Sequence, residues 1–183
     1  MTLRLERDAL RVRGDRRAVV PRSDFRRVGE HDGIVELEAA SGARYRFRLG
    51  RDARDWVAAL ATPPTPLGEQ LGVTADLPVA VRGRLPVGDL VEALADSPRV
   101  PPWEAELVVA VVADLDTLAG LPVWLGEAGV RAPVWVIHGK GRACEAPGDA
   151  EARRVMRGAG WRDDRVSGVA DCWSATRFTP VRA

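Results

Sequence analysis

The chain has 183 residues, 46% of them hydrophobic and 29% charged, the composition of a globular protein with room for one large or two small domains. Its 27 basic and 26 acidic residues leave a net charge of +1, which excludes the long-range field that gathers nucleic acid or anionic lipid. No stretch approaches the roughly 18 apolar residues of a membrane span, and the amino terminus has no apolar run of signal-peptide length, so a cytoplasmic protein without membrane contact is expected.

Residues 1–49 read as five short strands, LRLERD, ALRVRG, RRAVVP, GIVELEA and ARYRFRLG, with turns at Gly14-Asp15, Asp32-Gly33 and Ser41-Gly42. In the last of them Arg44, Arg46 and Arg48 alternate with Tyr45, Phe47 and Leu49, the period of a sheet with one buried and one wet face. The arginines belong to the wet face, a candidate interaction face for an acidic partner, though a solvated row of charges is the plainer reading. RDARDWVAAL follows, with Ala53, Trp56, Val57 and Leu60 at helical spacing to cover the sheet. TPPTP at 62–66 cannot continue a helix and marks the linker between a β module at 1–61 and an α/β domain at 67–183. Residues 1–60 carry a net +4 and residues 61–183 a net −3, a complementarity that favours docking over free tumbling.

The second part alternates. LPVAVRG is a strand, PVGDLVEALAD a helix with Val87, Leu90, Val91 and Leu94 on one face, and ELVVAVVADL a strand apolar enough to be buried on both faces. DLDTLAGLPVWLGEAG reads as a broken helix, APVWVIHG as a second buried strand, and GDAEARRVMRGAG as a helix with Ala152, Val155, Met156 and Ala159 inward. DRVSGVADC and WSATRFTPV are too close for a crossover and pair as an antiparallel hairpin at the sheet edge. The sum is a three-layer α/β sandwich behind a small antiparallel module with one covering helix.

Chemical signatures are sparse. GxSxG, HExxH, CxxC, GxxxxGK[ST] and GxGxxG are all absent, and Cys144 and Cys172 form no zinc or disulfide framework, so neither metal nor cofactor is expected. All basic residues but Lys140 are Arg, Asn is missing, and Ile occurs only at 34 and 137; this bias against A/T-rich codons reads as a high-GC bacterial genome rather than phosphate chemistry. HGKG at 138–141 is the nearest thing to a phosphate loop, but ACEAPG separates it from the next helix, so a tight turn beside a surface lysine is the simpler reading. Lys140 does stand where open α/β sheets place ligands, and His138 reads either as a general base or as a ring capping a strand end, with no partner visible in the sequence. His31 belongs to a solvent-exposed turn. Cys144 would need Lys140 or Arg142 to activate it, Cys172 reads as a small buried hydrophobe within a strand, and the tryptophans at 103, 124, 135, 161 and 173 read as core fillers.

Three stretches carry a resemblance: LGEQLGVTADLPVAVRG, APVWVIHGKG and DCWSATRFTPV. Over about residues 67–181 they resemble an uncharacterised bacterial domain-of-unknown-function family with a small Rossmann-like, methyltransferase-like sheet. The first stretch is similar to that family's leucine-rich opening that ends Lys-Pro-Gly, the second to an apolar strand ending in Trp, an aromatic-Pro pair and Lys, the third to its final Trp-Ser-x-x-Arg-Phe strand. The strands and helix before it are similar to a reduced pleckstrin-homology-like module. Here Thr74-Ala75-Asp76 replaces Lys-Pro-Gly, and His138-Gly139 replaces the aromatic-Pro pair. A methyltransferase also needs a glycine-rich turn after its first strand, and RGRLPVGD does not supply one. The resemblance therefore implies a methyltransferase-like scaffold without its cofactor site, acting through another protein. The alternative it leaves is a small-molecule or nucleotide-binding enzyme or regulator, adenosylmethionine included, using a strand-end cleft of His138, Lys140, Ser174 and Arg177. Nucleic-acid binding through the arginine face is disfavoured by the balanced charge.

Overall fold

The computed structural model describes residues 2–7, 9–14, 17–141, 144–170 and 172–181, which divide into two compact units, Met1–Thr65 and Pro66–Ala183. The turn residue Asp15 and the Cys144 neighbour Arg142 lie outside the described residues.

In the first unit β1 (Thr2–Leu5), β2 (Ala9–Arg13) and β3 (Ala18–Pro21) form one antiparallel sheet; β4 (Phe25–His31), β5 (Ile34–Ala39) and β6 (Arg44–Arg48) form another. Leu10, Val12 and Val20 from the first sheet meet Val35, Leu37 and Phe47 from the second, with Ala53 and Leu60 of α1 (Ala53–Ala61) in the same cluster. Neither three-stranded sheet could bury a face alone; together with the helix they close one core. Asp32 and Gly33, both at positive φ, make the tight turn that pairs His31 with Ile34. Gly33 has a second reason to lack a side chain, since a Cβ there would stand 2.9 Å from the Cα of Gly50.

The sequence reading assigns no strand to Phe25–His31, and the structure corrects it. The pairing of β4 with β5 shifts register between Phe25 and Arg27, and this irregularity breaks the alternation by which a strand is recognised. Arg22, just ahead of β4, donates to the carbonyls of Ala59 (3.1 Å) and Thr62, satisfying acceptors that the end of α1 leaves open.

The second unit is built on a five-stranded mixed sheet in the order β10-β11-β9-β8-β7. β7 (Val79–Arg82), β8 (Leu107–Val111) and β9 (Val134–Gly139) are parallel, and β10 (Trp161–Gly168) and β11 (Trp173–Pro180) form an antiparallel hairpin, with β11 against β9 and β10 outermost. One face packs on α4 (Leu115–Glu127) and α5 (Asp149–Gly158) through Val108, Val136, Leu121, Met156 and Phe178; the other packs on α2 (Leu67–Leu71) and α3 (Gly88–Ala93) through Val109, Trp135, Ile137, Leu71 and Leu90. Three layers result. Fully burying side chains such as Trp135 and Phe178 stabilises the fold by about 1.5–3 kcal/mol each.

The connections are less regular than the layers. β7, β8 and β9 step in one direction across the sheet, yet the segment after β7 covers one face and α4 covers the other. The two crossovers therefore have opposite hands, and one of them departs from the right-handed rule.

Five further expectations change, the first being that Ala159, just past the end of α5, is exposed rather than inward. Residues 115–127 form one continuous helix with Pro122 inside it rather than a broken one. Val91 is half exposed instead of sharing the buried face of Leu90 and Leu94, and Trp103 is 67% exposed rather than a core filler. Cys172 precedes β11 and is half-buried.

Candidate functional site

The carboxyl ends of the three parallel strands are where an open α/β sheet holds ligands, above all where neighbouring strands send their connections to opposite faces. That condition is met between β7 and β8. The turn after β7 begins at Gly83, φ +86°, and it lies against β8 so closely that a Cβ would be 3.1 Å from the carbonyl oxygen of Val111. Beyond β8, Asp114 turns its carboxylate to the Thr117 N–H at 2.6 Å as the N-cap of α4. The Thr117 hydrogen bonds hold this carboxyl below the usual range. Arg82 lays its guanidinium over the Trp124 ring, 4.6 Å from the centroid, with a buried Nη1 that has no hydrogen-bond partner. Its pKa is lowered by burial.

At the end of β9 stands His138, 1% exposed. Its Nε2 is 2.9 Å from Thr176 Oγ1, itself fully buried on β11, and its Nδ1 is 3.1 Å from the Gly139 carbonyl oxygen. Thr176 Oγ1 donates to Asp149 Oδ1 at 2.9 Å; Asp149 opens α5 and also accepts from Arg153 Nε at 2.8 and 2.9 Å. Arg153 continues to Asp163 on β10, where Arg157 Nε donates at 2.6 Å. Six side chains thus run unbroken from the interior to the surface.

The chain invites a count of protons. The Gly139 carbonyl and the ionised Asp149 are acceptors only, so the three contacts around His138 and Thr176 need three protons, and a neutral imidazole with one hydroxyl supplies two. Burial pushes the His138 pKa down, against the pull of the Gly139 carbonyl and Asp149. Burial works to raise Asp149, but the hydrogen bonds from Arg153 and Thr176 outweigh it and hold the carboxyl below its ordinary value. Asp163 is likewise held low, first by the hydrogen bond from Arg157.

The four residues expected to share a strand-end cleft divide. Ser174 pairs across from His138 on the same face, and its hydroxyl donates to the Ser167 carbonyl at 3.1 Å. Arg177 pairs with Trp135, on the opposite face, and holds Asp164 through two bonds of 2.8 and 3.1 Å. Lys140 follows β9, its N–H donating to the Cys172 carbonyl at 2.9 Å. The loop before α5 closes over this end: Gly139 N–H donates to Pro147, and a Cβ on Gly139 would be 2.5 Å from the Ala146 carbonyl oxygen and 3.3 Å from Cys144 Cβ. Sequence reasoning missed Thr176 and Asp149, although a histidine inside an apolar strand demands polar partners.

On the first unit Arg44, Arg46 and Arg48 are exposed, but glutamates of β5 stand between them and β4: Glu36 lies 2.8 Å from Arg46 and Glu38 3.7 Å from Arg44. His31 is exposed beside Asp32. Among the described residues no trio of His, Cys, Asp or Glu is placed to hold a metal, and no helix is long and apolar enough to cross a membrane. In sequence comparisons no family model and no curated protein matches this chain.

Proposed function

We propose that this chain is a non-catalytic cytoplasmic bacterial protein, a degenerate methyltransferase-like scaffold that acts through contact with another protein. One observation carries the reading: Asp114, His138, Thr176 and Ser174, at or beside the strand ends, are spent on internal bonds, and Arg82 alone of the groups described there keeps an unpartnered nitrogen. Asp114 caps α4, His138 and Thr176 are sealed inside, Ser174 serves the hairpin, and Arg177 serves Asp164 on the far face. The tight seating of Gly83 on Val111 supports it, since a cofactor crevice needs space at that turn. Three parallel strands between helices, followed by a reversed hairpin, support the Rossmann-like ancestry; two small sheets closed by a helix support the pleckstrin-homology-like one. The exposed arginine row leaves the first unit as the contacting surface.

A second reading, a small-molecule or nucleotide-binding regulator at the strand ends near Lys140, draws on Arg82, whose buried Nη1 lacks a partner. A thermal-shift panel with adenosylmethionine, nucleotides and acidic metabolites separates the two. A ligand at 100 times its Kd stabilises the folded state by about 2.7 kcal/mol, and the scaffold reading expects no such shift. Stabilisation by adenosylmethionine that is lost in Lys140→Met or Arg82→Met would replace the first reading by the second.

A further inference from the structure

The outer face of the β4–β5–β6 sheet is a three-by-three array fixed by strand register. Its rows are Arg27, Glu38, Arg44; Gly29, Glu36, Arg46; and His31, Ile34, Arg48. Four arginines face two glutamates, and the glutamates are matched to Arg44 and Arg46. Arg27 and Arg48, exposed at opposite corners, have no ion-pair partner among the described residues. An open groove of about 620 Å³ on this face is lined by Arg27, Arg44 and Arg46 against Glu30, Glu36 and Glu38, and Arg48 stands outside that lining. The floor of the groove is Gly29, where a Cβ would meet nothing within 4 Å.

We infer that this face binds an extended acidic segment of a partner protein, two of whose carboxylates, six residues apart and so on the same side of the chain, engage Arg27 and Arg48 while its backbone crosses Gly29. The inference rests on the scaffold reading above and names the chemistry of its partner. The spacing follows from the sheet: two strand separations of about 4.8 Å and four residues of about 3.4 Å put the two corners about 17 Å apart, about five residues of an extended chain, and alternation makes six the separation at which both carboxylates face the sheet and, with their side chains, reach both corners. At Gly29 the face carries no side chain and has open space above it, which lets the backbone of an extended chain approach the sheet closely there. Nucleic acid fits less well, because Glu36 and Glu38 stand in the path between the corners and would oppose an evenly charged phosphate backbone. A peptide can place neutral residues there.

The test uses the full chain and three fluorescein-labelled probes: a Gly/Ser/Thr decapeptide with two glutamates six positions apart, the same composition with the glutamates adjacent, and a ten-nucleotide oligothymidylate. Fluorescence anisotropy at about 50 mM salt is expected to show the spaced peptide binding about tenfold more tightly than the adjacent one, with the preference lost in Arg27→Glu/Arg48→Glu. Both side chains are exposed, and circular dichroism verifies that the variant folds. Gly29→Leu, which alters no charge, is expected to weaken the spaced peptide by filling that open space. Equal binding of the two peptides, or tighter binding of the oligonucleotide, overturns the inference. A failure confined to it is recognisable in a capture from host lysate: a specific partner still lost in Arg44→Glu/Arg46→Glu/Arg48→Glu, with neither peptide bound, leaves the scaffold reading standing and removes only the acidic-segment chemistry.

Discussion

Thr176→Val is the sharpest test of the buried polar chain. Valine matches threonine in shape, so the substitution opens no cavity around a fully buried site, and the change reads the hydroxyl alone. Two contacts of 2.9 Å disappear, and His138 Nε2, on a side chain 1% exposed, is left facing a methyl group. Orphaning a buried polar group costs about 1–3 kcal/mol, whereas Asp149 keeps Arg153 as a donor and lies partly in water, so its loss adds little. For a unit spanning residues 66–183, roughly 4 °C of Tm accompanies each kcal/mol, which gives a fall of about 4–12 °C for the transition of the second unit. Urea unfolding followed by tryptophan fluorescence measures the free energy, and calorimetry the Tm. The decisive comparison is His138→Phe/Thr176→Val. Removing both partners of a hydrogen bond is less damaging than removing one, so the double variant is expected to lie above the sum of the two single changes in stability. Strict additivity, or a Thr176→Val effect below about 0.5 kcal/mol, would show that the chain contributes nothing as a unit.

Acid should expose the same residues. Because the folded His138 pKa is depressed, the unfolded chain takes up a proton first; stability is complete above the unfolded value of about 6.5 and declines as pH falls toward the folded pKa, with a slope of at most about 1.4 kcal/mol per pH unit. Unfolding free energies between pH 8 and 5.5 should show that limb, and His138→Phe should erase it. A second limb belongs to Asp149 and Asp163, whose depressed carboxyls contribute stability above about pH 3.8 that is lost as pH falls through their folded values; Arg157→Met should reduce it for Asp163. Gly139→Ala drives a Cβ into the Ala146 carbonyl and should destabilise by about 1–3 kcal/mol in chemical denaturation, while Gly29→Ala, with open space above it, should stay within about 1 kcal/mol. Arg22→Ala removes charged donors from the end of α1, and faster hydrogen exchange of the Ala58–Thr62 amides is the expected readout.

What was legible in the sequence followed physical periodicity. The unbroken apolar runs LVVAV and VWVIHG became central parallel strands, and RYRFR put its arginines in water, because burial on two faces or one leaves those patterns directly. Phe25–His31 was hidden because the irregular pairing at Phe25 and Arg27 removes the alternation, leaving FRRVGEH with the look of a polar loop. The helix read as broken over DLDTLAGLPVWLGEAG runs unbroken through Pro122, since Leu118, Leu121 and Leu125 anchor it to the sheet on both sides of the proline.

The site was less legible, for a reason that strand geometry makes plain. Ser174 and Arg177 are three residues apart on one strand, so alternation alone places them on opposite faces, and no cleft on one side of the sheet contains both. Proximity to the strand ends suggested the grouping; parity refutes it. Parity also points to the residue that was missed, because Thr176 shares the face of Ser174 and lies within diagonal reach of His138. Only Asp149 required the fold itself, since nothing short of the packing of α5 on β9 and β11 sets its carboxylate over that hydroxyl. The outer array of the first sheet is the reverse case: each arginine was visible, but the pairing of β5 with both neighbours decides which cations are already matched and leaves Arg27 and Arg48 as the corners. A strand pattern shows which side chains face water, and only register shows which of them are still available to a partner.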